Sequence, residues 1–534
     1  MIKKKYDIKW SIFIPSVIIL FIAGFLFAMI EGDAIAFLNG VFDVIVANFG
    51  WAYIWYSILI LGAAFWFVFS KYGKVVLGDP NSKPDYTMFE YACLLVAMGI
   101  GSSILRTGTM QWVTVYMQPP AGVEAYSMEA LMWGQPYGMF LWGLQVFAIF
   151  VMTGPAIAYM VHVRKKPMVR ISEVCRVLFG DKFSDGIGGK ILDVLFIVSI
   201  TAGAAVFLGF GAPMVIVSIE YLTGTTIGFF GIFMITILWA AAFTISSYLG
   251  LDKSIKFLSV LNMKLAAVFG LLILLIGPGV FIIEHFTDSI GFFIRHYIDL
   301  SFYSNSLRGG GGTDFMHTFS IFWFAYCATW ALVHGVYAAR VSKGRTIREM
   351  ILTYLFAPLI LTTTATGILG GVSIERYLTG VVDVPGLVAA AGGGGGGMVA
   401  AIPHVLSSLP MGTVILVAFL IMVIIFLTTT MDSTSYSIAM YASTDDMGKR
   451  EPSQAVRLIT SFVIVAIALI FMNIGGLAPL EVMSGLMGIP IIFIQFITIW
   501  AAKRMMDQDK AWLYNVRPPK ETLEQPTATV DSQA

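Results

Sequence analysis

The sequence predicts an all-α polytopic membrane protein. Of its 534 residues, 58% are hydrophobic and 12% are charged, and the mean hydropathy is +0.83. Soluble chains carry about twice that share of charge. Apolar runs of roughly 20 residues, the length that crosses a bilayer as a helix, recur along the chain. This composition excludes a soluble enzyme, and the net charge of +1 provides no field that would attract nucleic acid.

Polar breaks divide the apolar sequence into twelve runs, each predicted to be a transmembrane helix because backbone groups in hydrocarbon must bond internally. The runs lie near residues 10–30, 50–70, 88–117, 137–161, 190–218, 227–249, 257–283, 315–339, 349–372, 412–442, 456–474 and 479–502. They are too long and too uniformly apolar for the strands of a membrane β-barrel.

The distribution of lysine and arginine predicts the orientation, since positively charged short loops remain on the cytoplasmic side. Basic clusters occur at the N-terminus and near residues 71–74, 164–170, 253–256, 340–348, 449–450 and 503–504. The intervening connections hold only Arg295, Arg308 and Arg376. Both termini are therefore predicted to be cytoplasmic. That result requires an even number of spans, which agrees with the twelve predicted.

The chain is predicted to divide into five parts. Residues 1–87 hold the N-terminal tail and two accessory helices, 88–283 hold spans 3–7, and 315–506 hold spans 8–12. Between them, charged and aromatic residues at 284–314 indicate an outer interfacial amphipathic segment. The polar stretch 507–534 is predicted to be a disordered cytoplasmic tail. Glycine runs at 309–312 and 392–397 are expected to be flexible chain in outer loops.

No soluble-enzyme motif is present: the sequence lacks a phosphate-binding loop, a dinucleotide fingerprint and a paired-histidine zinc spacing. The protein is thus predicted not to be an enzyme and to need no organic cofactor. Many membrane helices without an energy-transducing domain indicate a secondary transporter or a channel.

The third span contains the run Met98-Gly-Ile-Gly-Ser-Ser-Ile-Leu-Arg-Thr-Gly108. Small residues here favour either close helix packing or local unwinding, which frees carbonyl groups for a substrate or cation. Arg106 is costly within a membrane unless it faces protein or water. It is a candidate partner for a substrate carboxylate, and an ion pair with an acidic side chain is the structural alternative.

The tenth span ends in the hydroxyl-rich run Leu427-Thr-Thr-Thr-Met-Asp-Ser-Thr-Ser-Tyr-Ser437. Thr429 and Thr430 are candidate oxygen ligands for a hard cation such as sodium, together with carbonyl groups of a broken helix. The alternative is that these hydroxyls bond back to their own helix. Asp432 is expected to organise neighbouring hydroxyls or to partner a cation.

Aromatic residues cluster in the fourth and eighth spans. Tyr326 and Trp330 are four residues apart and share a helix face, and the fourth span offers Trp142, Phe147 and Phe150. Aromatic faces attract a methylated ammonium group, at about 2 kcal/mol each when desolvated. Lipid contact or core packing is the alternative for such a stripe.

Several motifs point to one family. The loop Ala339-Arg-Val-Ser-Lys-Gly-Arg-Thr-Ile-Arg-Glu349 is the most specific, and Gly250-Leu-Asp-Lys-Ser-Ile-Lys256, Trp142-Gly143 and the Thr-Thr-Met-Asp-Ser run add to it. Together they resemble the betaine/carnitine/choline transporter family, from about the first span to the last. The resemblance implies two extra helices followed by two inverted five-helix repeats, spans 3–7 and 8–12. It also implies a homotrimer with one pathway in each subunit.

The same resemblance implies roles for particular residues. Trp142, Phe147, Phe150, Tyr326 and Trp330 match positions of the family's aromatic box. The sodium-ligating hydroxyls match Thr429 and Thr430, next to backbone groups of Gly99, Ile100 and Gly101 in a third-span motif that also includes Ser103.

Departures from the family pattern concern the substrate and the number of ions. Cys327 stands where a principal cage tryptophan is usual, and Arg106 and Thr107 replace bulky residues. Ala204 and Ala205 stand where a second ion site needs hydroxyls, so one sodium ion is expected. A basic group at His334 or Lys256 is a possible coupling element and is compatible with a sodium-independent exchanger.

The sequence therefore predicts a secondary transporter that imports a small methylated ammonium compound, such as betaine, choline, carnitine or trimethylamine. Coupling to sodium, alternating access and a bacterial cytoplasmic membrane are expected. The alternatives are a sodium-independent exchanger of the same compounds, a transporter-like membrane sensor, and a channel.

Overall fold

The computed structural model describes residues 8–30, 32–98, 100–120, 122–166, 169–228, 230–231, 233–239, 241, 255–304, 320–443, 454–475 and 478–518. Within these residues the secondary structure is helical, apart from isolated bridges between single residues. This confirms the predicted all-α fold class.

The helices are numbered in chain order through the described residues. The first half contains α1 (Trp10–Ile30), α2 (Gly32–Phe69), α3 (Met88–Ala97), α4 (Gly101–Met117), α5 (Met128–Leu141), α6 (Leu144–Val151), α7 (Gly154–Ala158), α8 (Ile171–Phe179), α9 (Asp181–Asp185), α10 (Ile187–Thr223) and α11 (Lys256–Ile276). The second half contains α12 (Gly279–Phe302), α13 (Phe322–Val341), α14 (Ile347–Ala365), α15 (Gly371–Leu378), α16 (Val384–Ala390), α17 (Gly394–Ser407), α18 (Gly412–Ala442), α19 (Gln454–Gly475), α20 (Ala478–Gln508) and α21 (Ala511–Tyr514).

Helices long and apolar enough to span a membrane account for seven segments of the described chain, or eight when α3 and α4 are counted as one bent span. Two shorter apolar helices lie within α1 and α19. The chain is therefore a multi-pass membrane protein. The total of twelve spans stays a prediction, and nearly half of the predicted sixth span, 227–249, lies outside the described residues.

Two of the spans are interrupted, and the sequence at each break explains it. α3 and α4 meet at an angle of 67° around the glycine-rich run of the third span. The fourth span breaks between α5 and α6, where Gly143 is extended with φ −87° and ψ −172°. A Cβ added to Gly143 would lie 2.8 Å from the carbonyl oxygen of Phe140, so only glycine fits this break without a shift.

α13, the predicted eighth span, lies at the centre of the molecule. It packs against α6, α7, α10, α18 and α20. Every residue from Trp323 to Ala339 is buried. A helix that is covered on all sides by protein presents no face to lipid, so the polar and aromatic side chains of α13 all point to other helices.

The amphipathic segment between the two halves is a helix that begins earlier than the sequence predicts. α11 ends at Ile276, and α12 starts at Gly279 rather than at residue 284. Gly277 and Pro278 separate the two helices, since proline begins a helix more readily than it continues one. α12 packs along α5, with Trp133 and Phe292 in edge contact at 4.8 Å between ring centroids.

The second glycine run does not form the flexible loop that we predict for residues 392–397. α17 begins inside it at Gly394. The reason is the apolar sequence that follows: Val399, Ile402 and Leu406 are buried at helical spacing, and their packing stabilises the whole helix. The first run, 309–312, lies outside the described residues.

Residues 507–518 of the C-terminal segment make specific contacts with the rest of the protein, so the prediction of disorder from residue 507 does not hold for them. The Lys71 ammonium lies 3.3 Å from the ring centroid of Trp512. Asn515 Nδ2 donates to the carbonyl oxygen of Val76 at 2.6 Å. The polar composition predicts disorder, but Trp512 and Asn515 contact specific groups on the loop after α2. Residues 519–534 lie outside the described residues.

Candidate functional site

The break in the fourth span carries Trp142 at its apex, facing α13. The Trp142 indole donates from Nε1 to Thr107 Oγ1 on α4 at 2.8 Å. Its ring stacks on Phe147, with centroids 6.4 Å apart and an interplanar angle of 29°. The edge of Trp323 on α13 meets it at 5.1 Å. Trp142 thus joins three helices.

Further along α13 the aromatic contacts continue toward α6. The imidazole of His334 lies flat on Phe150, with centroids 4.1 Å apart and an interplanar angle of 3°. Trp330 is 5.9 Å from His334 and 6.5 Å from Tyr326, measured between ring centroids. The structure therefore brings all five predicted cage residues into one continuous set of rings, which also includes Trp323, His334 and Phe207.

These rings face protein and not lipid. Trp142, Phe147, Phe150, Tyr326 and Trp330 are between 0% and 5% exposed. Because they are buried, the alternative that they form a lipid-facing stripe is excluded. Cys327, at the position of a family cage tryptophan, is also buried at 1% exposure.

Two nitrogen atoms of this aromatic set are buried and have no hydrogen-bond partner among the described residues. They are Trp330 Nε1 and His334 Nε2. The other ring nitrogen of His334, Nδ1, bonds the Tyr354 hydroxyl on α14. Trp330 Nε1 faces Gly203 on α10, and a Cβ added to Gly203 would lie 3.1 Å from this nitrogen. Because glycine has no side chain, Gly203 supplies no side-chain acceptor. Buried polar atoms without a partner are rare in folded proteins.

The predicted cation ligands lie beside the break in the third span. Thr430 Oγ1 donates to the carbonyl oxygen of Ala97, the last residue of α3, at 3.2 Å. Thr429 Oγ1 donates to its own helix at Ile425, at 2.8 Å, and accepts from Asn262 Nδ2 on α11 at 2.9 Å. The back-bonding alternative therefore describes Thr429, whereas Thr430 reaches a different span.

The structure describes three of the four other residues in the predicted third-span motif. Gly99 lies outside the described residues. Ile100 and Ser103 are buried, and Gly101 is the first residue of α4. The broken segment therefore lies directly beside the hydroxyl groups of α18. Among the described residues, no group of three or more His, Cys, Asp or Glu side chains could hold a metal ion.

The predicted site includes three charged residues, of which two are buried and one forms a salt bridge at the surface. Arg106 is 4% exposed on α4 and Asp432 is fully buried on α18. Lys256 is separate from both: its ammonium forms a salt bridge with Glu90 at 3.2 Å, where α11 and α3 begin. The structure therefore does not bring Lys256 to the aromatic rings.

Sequence reasoning missed four residues of the site. Trp323 donates from Nε1 to the carbonyl oxygen of Leu141 at 2.6 Å and so fixes the end of α5. The Asn262 amide bonds the Thr429 hydroxyl, and the Tyr354 hydroxyl bonds His334 Nδ1. The ring of Phe207 is 5.8 Å from that of Trp330, measured between centroids. Trp323 stands in the same aromatic run as Tyr326 and could have been selected by its spacing of three. The other three lie on distant helices, and no local pattern marks them.

Comparison with known proteins gives the family. The sequence profile described as "BCCT, betaine/carnitine/choline family transporter" matches residues 11–511. A relative in Bacillus subtilis (strain 168), the glycine betaine transporter OpuD, is 29% identical over 467 residues, which cover 87% of this chain and 88% of OpuD.

A solved structure described as the substrate-bound outward-open state of a Na+-coupled sialic acid symporter is also similar. The TM-score is 0.47 at 14% identity, and the match covers 84% of this chain and 86% of that one. Because the family profile spans nearly the whole sequence, the chain belongs to the betaine/carnitine/choline transporter family and is a transporter, not an enzyme.

Proposed function

We propose that this protein imports glycine betaine, or a closely related methylated ammonium compound, by sodium-coupled alternating access. The observation that carries the proposal is the buried set of aromatic rings between the broken fourth span and α13. Similarity to the glycine betaine transporter of Bacillus subtilis supports the substrate class. Family membership supports a secondary betaine- or choline-type transporter.

The aromatic faces would hold the methylated ammonium end of the substrate. Trp142, Phe147 and Phe150 line one side, and Tyr326 and Trp330 line the other. A trimethylammonium group cannot donate hydrogen bonds, so ring faces suit it better than carboxylates, which would attract any cation. Rings that are held in place by neighbouring helices bind without a large loss of conformational entropy.

The unpartnered nitrogens favour a zwitterion over a simple amine. When Nδ1 of His334 accepts from the Tyr354 hydroxyl, the His334 proton is on Nε2, and that N–H is free to donate. Trp330 Nε1–H is the second free donor. A carboxylate would satisfy both, whereas choline offers only a neutral hydroxyl. Arg106 would add a positive charge on the side of α4.

Thr430 would connect the cation to the substrate path. Its hydroxyl and the carbonyl group of Ala97 provide neutral oxygen atoms where α18 meets the break between α3 and α4. A sodium ion between them would hold α18 against the broken span, and carbonyl groups of Gly99 and Ile100 are further proposed ligands. Binding of sodium would thereby favour the conformation that binds substrate.

The remaining charged residues have supporting roles in this proposal. Asp432, buried among the hydroxyl groups of α18, would organise them around the cation. Lys256 and Glu90 join α11 to α3 at the surface, and their salt bridge would open and close as the broken span moves. We further propose a homotrimer in a bacterial cytoplasmic membrane, with both termini in the cytoplasm.

Uptake of labelled glycine betaine into proteoliposomes tests the function. We expect accumulation that requires an inward sodium gradient and that excess unlabelled betaine abolishes. Uptake that needs betaine or carnitine inside the vesicles but no sodium would instead identify an exchanger. Binding without transport would indicate a sensor, and flux far above carrier rates would indicate a channel.

A further inference from the structure

We propose that the side-chain amide oxygen of Asn262 is a ligand of the coupling cation, supplied by α11 in addition to α3 and α18. This inference rests on the proposed sodium coupling and adds a third helix to the ion site. No sequence pattern singles out Asn262, which lies in a mostly apolar helix.

Three helices converge where Asn262 is found. α11 packs against both α3 and α18. Asn262 Nδ2 donates to Thr429 Oγ1 at 2.9 Å, and on the next residue of α18, Thr430 Oγ1 donates to Ala97 at 3.2 Å. The amide group of Asn262 is therefore bonded to Thr429, the residue next to the threonine that reaches the break in the third span.

The amide oxygen of Asn262 is a buried atom of this cluster that has no hydrogen-bond partner among the described residues. Asn262 is 0% exposed, and its Oδ1 accepts no hydrogen bond from any described residue. Turning the amide over does not remove the problem: the Thr429 hydroxyl proton is already donated to Ile425, and Nδ2 would then lack an acceptor. Either orientation leaves one buried amide atom unpaired, which is costly inside a protein.

Among the residues that the structure describes, no neighbouring group substitutes for the missing partner. Val96 and Met263, the neighbours of Ala97 and Asn262, line an apolar cavity of about 490 Å³ together with Phe426, one turn before Thr430. A cation satisfies all the conditions, because a sodium ion is a hard cation that binds neutral amide, hydroxyl and carbonyl oxygens. These are the oxygen types that Asn262, Thr429, Thr430 and Ala97 present.

A purely positioning role for Asn262 is the alternative. In that case only the Nδ2 donor would matter, because it fixes the hydroxyl of Thr429. The two roles are separated by Asn262→Asp, which keeps an oxygen at the Oδ1 position, adds negative charge and removes the donor. Asn262→Ala removes both atoms.

Sodium affinity of the purified full-length protein provides the test. Tryptophan fluorescence and melting temperature are followed while sodium is titrated at a fixed concentration of glycine betaine, with potassium chloride replacing sodium chloride at constant ionic strength. Ser259→Ala is the matched control, because the Ser259 hydroxyl is buried on α11 but bonds only its own helix, at Ile255.

We expect Asn262→Ala to raise the half-saturating sodium concentration by at least about tenfold, equivalent to ~1.4 kcal/mol of binding free energy. Asn262→Asp should bind sodium as tightly as the wild type or more tightly, and Ser259→Ala should be unchanged. Wild-type sodium affinity in Asn262→Ala would overturn the inference, and so would loss of affinity in Asn262→Asp, which would assign a positioning role. If Asn262→Ala does not fold, Asn262→Asp decides alone.

The outcome for the unmodified protein separates the two proposals. If sodium changes neither fluorescence nor stability of the wild type, sodium coupling fails, and the ligand role of Asn262 fails with it. If the wild type responds to sodium and the Asn262 variants respond equally, sodium coupling stands and only the role of Asn262 is refuted.

Discussion

Trp142 is the residue whose position is most fully determined. Its indole nitrogen bonds Thr107, its carbonyl oxygen accepts from Thr362 Oγ1 at 3.3 Å, and Trp323 packs against its ring. Contacts from three helices therefore hold Trp142, two of them on its ring and one on its backbone. A ring that is fixed before the substrate arrives loses little entropy on binding, which suits a cage face.

Replacing Trp142 by alanine is therefore expected to weaken glycine betaine binding by roughly thirtyfold, since one desolvated cation–π contact contributes about 2 kcal/mol. Equilibrium binding by calorimetry measures the change. Trp500→Ala is the control, because Trp500 on α20 is 55% exposed. Unchanged affinity in Trp142→Ala would show that the rings serve packing alone.

Thr430 is expected to act on sodium and not on substrate. Thr430→Ala should raise the sodium concentration for half-maximal uptake about tenfold, because a cation ligand at the break in the third span is lost. Thr430→Ser retains the hydroxyl and should stay close to the wild type. Uptake assays in proteoliposomes at graded sodium concentrations distinguish them, and equal sodium dependence in both variants would exclude Thr430 from the ion site.

At the scale of the element, the two interrupted spans determine where backbone groups can bind a ligand. An unbroken helix uses its backbone groups internally and offers none to a ligand. The break between α3 and α4 lies beside the threonines of α18, and the break between α5 and α6 places Trp142 against α13. The fourth-span break requires glycine at position 143, but what each break faces depends on the packing of other helices.

The fourth-span break should not tolerate a side chain at Gly143. Gly143→Ala would force its Cβ toward the carbonyl oxygen of Phe140, and the resulting shift would displace Trp142, lowering both melting temperature and betaine affinity. Gly62→Ala on α2 has open space and should be neutral or stabilising by up to ~1 kcal/mol. Thermal unfolding and binding of both variants provide the comparison. Equal behaviour of the two would contradict the steric argument.

At the scale of the whole molecule, the structure brings three of the predicted cytoplasmic connections to the C-terminal segment. The ordered C-terminal segment bonds the loop after α2 through Asn515 and Val76, the loop after the fourth span through Asp509 and Arg164 at 2.7 Å, and α14 through Arg517. The connections that carry the basic residues near 71–74, 164–166 and 340–348 therefore contact one common segment, and the membrane face that they occupy stays a prediction.

The C-terminus is expected to be cytoplasmic. A protease site added after the last residue should be cleaved in inside-out vesicles and protected in right-side-out vesicles. A second site added before the first residue should give the same pattern. Cleavage of either site in right-side-out vesicles would overturn the predicted orientation of that terminus.

The sequence by itself determined the membrane setting, the helical class and the residue types of the site. Hydropathy is a local property, so spans such as 190–218 and 412–442 were evident from composition and agree with α10 and α18. The family resemblance also points to aromatic residues of different spans that contact one another in the structure, which is information that spacing alone does not contain.

Only the tertiary structure decided which distant atoms meet. Asn262 and Thr429 are 167 positions apart, and the Tyr354 partner of His334 lies on the next helix. The ordered C-terminal segment was missed for the same reason, since its contacts are with loops formed much earlier in the chain. Hydrogen bonds and ring contacts depend on distances of a few ångströms, and those distances are set by how whole helices pack and not by the residues nearby in sequence.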